Sequence, residues 1–327
     1  SRFLVADEVG LGKTMVARGI IAKAIEHLAV DPDLRIDIIY ICSNQAIAQQ
    51  NIRRLNVIPE QGFSFSSRMT MIAQQVAQLD ANRVNFVSFT PGTSFDLKSS
   101  AGMGPERVLI YWLLRRVWGD DMMNSAGARR LLKCAVAEAN WDGRLENGRL
   151  ADAQIDDKLI EEYSVDLTAI GARERYLELA RAFEVADSED PVVNAHRNAL
   201  IGELRTRLAT RCVERLEPDL VILDEFQRFR SLMRGDNEAG LLAKALFDFP
   251  GNKTLMLSAT PYKMYTSQTD EEDHHHRDFF DTIHFLLGDE HRPFDVAMDR
   301  FRNSLLDVHN TSAAELGEAR KAVEAEL

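Results

Sequence analysis

The chain has 327 residues, 45% of them hydrophobic, enough for one large or two ordinary domains with substantial cores. A net charge of −12 and a pI near 5.2 exclude a uniformly basic nucleic-acid coat and leave room only for a local basic groove. Cys42, Cys134 and Cys212 lie far apart with no CxxC pair, which speaks against a disulfide framework or a zinc site. No apolar run approaches the roughly 20 residues that cross a bilayer, so a reducing, cytoplasmic setting without a membrane is expected.

Residues 3–6 read as an apolar strand that runs into Ala6-Asp7-Glu8-Val9-Gly10-Leu11-Gly12-Lys13-Thr14. A glycine-rich turn between a strand and a helix is a triphosphate cradle. Its backbone N–H groups and the positive end of the following helix point at the phosphates, Lys13 adds a point charge, and the Thr14 hydroxyl is placed for Mg²⁺. Val16, Ala17, Ile20, Ile21, Ala24 and Leu28 then follow a 3.6-residue period, and Asp31-Pro32-Asp33 ends the helix. A second strand is expected over residues 36–42, followed by a helix capped by Ser43 and carrying Ile47, Ile52 and Leu55. A third strand over residues 84–89 leads into Thr90-Pro91-Gly92.

Residues 219–225 form an apolar strand ending in Asp224 and Glu225, and residues 254–257 form another that ends in Ser258-Ala259-Thr260-Pro261. Apolar strands separated by helices imply an α/β fold with a mainly parallel sheet and ligands at the carboxyl ends of its strands. Such a lobe does not need some 120 residues between its third strand and its acidic pair, so residues 96–217 read as a helical insertion. Val108 to Leu114 and Trp118, then Tyr176, Leu179, Ala180 and Phe183, then Leu200, Leu204 and Leu208, recur at helical spacing and read as core. Arg107, Arg115, Arg116, Arg129, Arg130 and Lys133 make its early half basic, which reads as a solvated face in preference to a duplex-binding surface. Asp270 to Asp278, with three histidines, reads as a flexible acidic loop, because consecutive residues do not converge on one ion without a shaped backbone.

ATP hydrolysis needs neutralised phosphates, a bridging metal and an aligned water. Lys13 and the turn Gly10, Leu11, Gly12, Thr14 and Met15 are candidates to hold the nucleotide. Thr14 and Asp224 are candidates for Mg²⁺, and Glu225 is the candidate base. Asp224 and Glu225 leave the strand on opposite faces, so they serve one site only if the strand ends there.

These residues resemble motifs of superfamily 2 helicases, in particular the Snf2-like branch. Ala6 to Thr14 resembles motif I, Leu223-Asp224-Glu225-Phe226-Gln227 motif II and Leu257-Ser258-Ala259-Thr260-Pro261 motif III. Residues 40–55 fit motif Ia, Thr90-Pro91-Gly92 is similar to motif Ib, and residues 278–287 resemble the helix that closes the first lobe. The resemblance implies a RecA-like P-loop NTPase lobe in two parts, residues 1–95 and 218–290, around the insertion 96–217. Residues 291–327 would be a helical linker towards a second RecA-like lobe that lies outside this sequence together with its arginine fingers. Both ends of the sequence read as cuts in a longer chain. Because an arginine finger is worth about 10³ to 10⁵ in rate, the lobe alone is expected to bind ATP and turn it over slowly.

The resemblance further implies that Ser258, Ala259 and Thr260 couple the nucleotide to nucleic acid through Gln227, which stands where histidine is more usual. A track over Ser43, Asn44, Gln45, Arg53, Arg54, Thr90 and Gly92 would meet the backbone of DNA, in preference to RNA. Arg228 and Arg230 flank it. The expected function is an ATP-driven helicase or translocase. The alternative is a protein-remodelling switch that grips a protein partner through the insertion and lacks strand-separating activity.

Overall fold

The computed structural model describes residues 1–6, 12–58, 64–65, 68–97, 101–148, 155–228, 230–258, 272–307 and 311–326. In chain order the elements are β1 (Arg2–Ala6), α1 (Lys13–Leu28), β2 (Ile36–Cys42), α2 (Gln45–Leu55), β3 (Ser64–Phe65), α3 (Val76–Ala81), β4 (Val84–Phe89) and α4 (Pro91–Ser94). Seven helices follow: α5 (Gly104–Trp118), α6 (Asp120–Met123), α7 (Ala126–Lys133), α8 (Glu138–Asn147), α9 (Asp157–Ala169), α10 (Ala172–Ala182) and α11 (Pro191–Leu216). Then come β5 (Leu220–Asp224), α12 (Arg230–Arg234), α13 (Glu238–Phe247), β6 (Lys253–Ser258), α14 (Glu272–Leu287), α15 (Arg292–Leu306) and α16 (Ala313–Ala325).

The sheet order is β1-β6-β5-β2-β4-β3, and the four described pairings, β3 with β4, β4 with β2, β2 with β5 and β5 with β6, are all parallel. This α/β arrangement is consistent with a Rossmann- or RecA-like layout. The strands are apolar in nearly every position because both faces are covered. Ile38, Tyr40, Cys42, Ile222 and Leu257 sit on one face against Ala17 and Ile21 of α1 and Ala48 and Ile52 of α2, while Ile39, Ile41, Val221, Leu223 and Met256 are buried too. Each such fully buried aliphatic side chain contributes roughly 1.5–3 kcal/mol.

Asp37 breaks the apolar run of β2. Its carboxylate is 1% exposed, 2.8 Å from the Arg35 guanidinium, and accepts a 2.7 Å hydrogen bond from Asn85 Nδ2 on β4. Burial outweighs both partners and pushes its pKa up to about 7 from the ordinary 3.8. The folded-state value lies above that of the unfolded chain, so this contribution to stability is fully present below pH 4 and is lost as the pH rises towards 7. Asp37→Asn is therefore expected to flatten the decline in denaturant stability between pH 4 and pH 7 by on the order of 2 kcal/mol. Urea titrations at pH 4.5 and 7.5 check it, and equal declines in the two proteins would contradict it.

The expected helical run between β4 and β5 is present as α5 to α11, and it shares one compact unit, residues 5–259, with the strands around it. The 26-residue helix α11 begins at Asp190, whose side chain accepts from Val192 N, and buries Leu200, Leu204, Leu208 and Cys212 along one stripe. Arg205, on the same helix, is fully buried and donates to Glu106 Oε1 of α5 from Nε and Nη2, both at 3.2 Å. Thr70 donates to that oxygen at 2.9 Å. A buried ion pair survives only when its lone pairs are satisfied, and here it locks the helical run to the turn that precedes β4.

In the basic early half of this region Arg116 is exposed and Arg115, Arg129 and Arg130 are half-buried, in keeping with a solvated face, while Arg107 and Lys133 are buried. Arg115 pairs with Asp120, Arg116 with Asp157, Arg129 with Asp142, Arg130 with Glu138 and Lys133 with Asp187, while the Arg107 guanidinium is bonded to backbone carbonyls of Ala101, Gly102 and Leu132. Acidic residues from 5 to 54 positions away neutralise the stripe. Tyr163 and Tyr176 are buried, and their hydroxyls donate to Leu204 O at 3.1 Å and Ala128 O at 2.7 Å, as core tyrosines should.

The second unit comprises residues 1–4 and 260–327. Phe279, Phe280, Ile283 and Leu286 of α14 pack with Phe294, Met298 and Phe301 of α15 and Val323 of α16. Residues 272–278 open α14 and do not form a loop; Asp270 and Glu271 lie outside the described residues. Among the described residues no helix is long and apolar enough to cross a membrane.

Candidate functional site

Strand register sets the site. Ile41 is level with Phe89, and Cys42 with Asp224, which is level with Leu257. Because these strands run parallel, Ser43, Thr90, Glu225 and Ser258 all leave the sheet at one rim, although they come from four separate stretches of sequence.

The acidic pair sits where its strand ends. β5 stops at Asp224, and Glu225 adopts φ 54°, a left-handed conformation that costs a non-glycine residue about 1–2 kcal/mol. The turn is held by Glu225 N donating to Leu257 O at 3.0 Å and Arg228 N donating to Glu225 O at 3.0 Å. This kink removes the strand alternation that would have sent the two carboxylates to opposite faces. Arg228 Nε lies 3.0 Å from Glu225 Oε2.

Asp224 is gripped from the neighbouring strand and helix. The Tyr40 hydroxyl donates to Asp224 Oδ2, and Asn51 Nδ2 of α2 donates both to Tyr40 Oη at 3.0 Å and to Asp224 Oδ2 at 3.2 Å. Burial first, and then the facing Asp224 carboxylate, hold the Tyr40 hydroxyl well above its ordinary pKa, so it remains a donor. Sequence reasoning missed both residues as site members. The available signal was a tyrosine in a buried, mostly aliphatic strand, whose hydroxyl needs a partner.

Gln227 lies in the short turn of 3₁₀ helix Phe226–Arg228, and Ser258 Oγ donates to its Oε1 at 3.1 Å. The segments that follow β5 and end β6 therefore touch. Ala259, Thr260 and Pro261 lie outside the described residues, as do Asp7, Gly10 and Leu11 of the glycine-rich turn.

Gly12 has φ 95°, a conformation glycine adopts at no steric cost, and it starts α1 with Lys13 and Thr14 in the first turn. Met15 is exposed, and α1 packs beside α2 and against β2 and β5. On the rim, Asn44 and not Ser43 caps α2. Asn44 Oδ1 accepts from Ala46 N at 2.8 Å and Ile47 N at 3.3 Å, because the residue next to the first helical position has the reach for those N–H groups. Its carbonyl oxygen is thereby committed to the helix. Gln45, Arg53 and Arg54 are exposed on α2. Thr90 N donates to Ser94 Oγ at 3.0 Å, and Gly92 is exposed in α4.

In the second unit His284, His291 and Asp295 come together. His284 Nε2 is 2.6 Å from Asp295 Oδ1, and His291 Nδ1 is 2.8 Å from Gly288 O. No protein-family model, curated protein or solved structure matches the chain.

Proposed function

We propose that the chain is the ATP-binding lobe of a superfamily 2, Snf2-like motor that hydrolyses ATP to move along nucleic acid, DNA in preference to RNA. The observation that carries this reading is the Ser258–Gln227 hydrogen bond beside Asp224 and Glu225, since a motor needs its acidic strand end tied to a second segment that can relay the γ-phosphate. Lys13, Gly12 and Thr14, with Gly10, Leu11 and Met15, would hold the triphosphate. Thr14 and Asp224 fit a magnesium ion by donor type, a hydroxyl and a carboxylate, and that ion would neutralise charge on the β- and γ-oxygens. Glu225 would take the proton from the attacking water. On this reading Ser43, Asn44, Arg53, Thr90 and Gly92 would meet the nucleic-acid backbone through sugar and phosphate contacts that carry no sequence information. A second lobe would supply the arginine fingers.

The test is steady-state ATPase of the full-length protein with and without single-stranded DNA, duplex DNA and RNA. At least tenfold stimulation by DNA, weakening as salt rises, is expected. Indifference to every nucleic acid would replace the motor with a protein-directed switch working through the α5 to α11 region.

A further inference from the structure

We propose that Tyr40 and Asn51 are positioning residues of the metal carboxylate, so that α2 is mechanically part of the magnesium site. The proposal rests on the nucleotide reading above. A carboxylate at a strand end turns freely about two side-chain bonds, whereas a metal site needs one setting. Both hydrogen bonds described for Asp224 end on the same oxygen, Oδ2, and their donors come from β2 and α2. Tyr40 is anchored: it is 1% exposed, its ring lies in the sheet core, and its hydroxyl accepts from Asn51 while donating to Asp224. With Oδ2 occupied in this way, Oδ1 is the oxygen presented to a cation and its waters.

Asn51 makes this grip adjustable. It is half-buried at the edge of α2, between the face that buries Ala48, Ile52 and Leu55 and the exposed face carrying Gln49, Gln50, Arg53 and Arg54. Its bond to Asp224, at 3.2 Å, stands at the long end of the hydrogen-bond range, where a displacement of a few tenths of an ångström breaks it. Whatever grips the outer face of α2 therefore acts directly on the metal carboxylate, by a route separate from the Ser258–Gln227 contact.

The experiment is a Mg²⁺ titration of fluorescent ATP-analogue binding to the full-length protein, with Tyr40→Phe and Asn51→Ala beside the parent and Lys13→Ala as a control. The expected result is a half-saturating Mg²⁺ concentration raised about tenfold in each variant, the size of one hydrogen bond to a charged group. Metal-free affinity and melting temperature should stay as in the parent. A purely structural role would shift melting and leave the Mg²⁺ dependence alone, and that outcome overturns the proposal while the nucleotide site stands. Should Tyr40→Phe fail to fold, Asn51→Ala decides by itself. Absence of Mg²⁺-dependent nucleotide binding in the parent overturns both the site and this refinement of it.

Discussion

Replacing Glu225 by Gln is expected to leave magnesium-nucleotide binding intact and to lower single-turnover hydrolysis in the full-length protein by about 10²- to 10⁴-fold, the usual worth of a positioned base. The substitution isolates chemistry from folding. Glutamine keeps the size of the side chain and has the same Cβ, so the left-handed backbone at φ 54° is no more strained than before. The backbone bonds to Leu257 and Arg228 do not involve the side chain and are also retained. What disappears is the proton acceptor, together with the carboxylate charge that pairs with Arg228 at the half-exposed surface. Retained turnover in Glu225→Gln would assign the base elsewhere on the rim. As a backbone control, Glu225→Gly should remove the same acceptor while relieving the conformational cost, and so should melt no lower than the Gln variant.

Lys13→Ala should abolish nucleotide binding outright, with affinity falling at least 10²-fold, about 3 kcal/mol. Lys13 opens α1, and a helix N-terminus presents a positive dipole end to an anion. The ammonium adds a full charge to that partial one, and a polyphosphate carries enough negative charge to need both. Calorimetric titration with a non-hydrolysable nucleotide reads the loss directly. Binding within a fewfold of the parent would mean that the phosphates sit elsewhere, and the triphosphate cradle would have to be abandoned. Because the helix is anchored through the buried Ala17 and Ile21, the variant should remain folded.

Much of this protein was legible in its sequence because the informative signals are local. The runs 36–42 and 84–89 were bounded to the residue, and the strands before Asp224 and Ser258 to within one or two, since an apolar stretch ended by a polar break needs no distant partner to be recognised. The helical region between β4 and β5 could be read from spacing for the same reason. Local signals failed where two neighbours offered the same chemistry. Ser43 and Asn44 are both capping residues, and only the path of the chain out of β2 decided that Asn44 reaches the first turn of α2. They failed again at residues 272–278, where charge suggested a loop and the aromatic side chains that follow, packed on α15, extend a helix.

The apolar strands and the polar residues that end them at Thr90, Asp224 and Ser258 were thus determined by the sequence alone, because each is written in consecutive residues. Tertiary structure decided which strand ends share a rim, how Asp224 is held and where the basic stripe finds its counter-charges. Asp224 takes its donors from residues 184 and 173 positions away, and Arg205 meets Glu106 across 99. Hydrogen bonds and ion pairs act over a few ångströms, so only the parallel register of the sheet and the packing of the helices bring such groups within range.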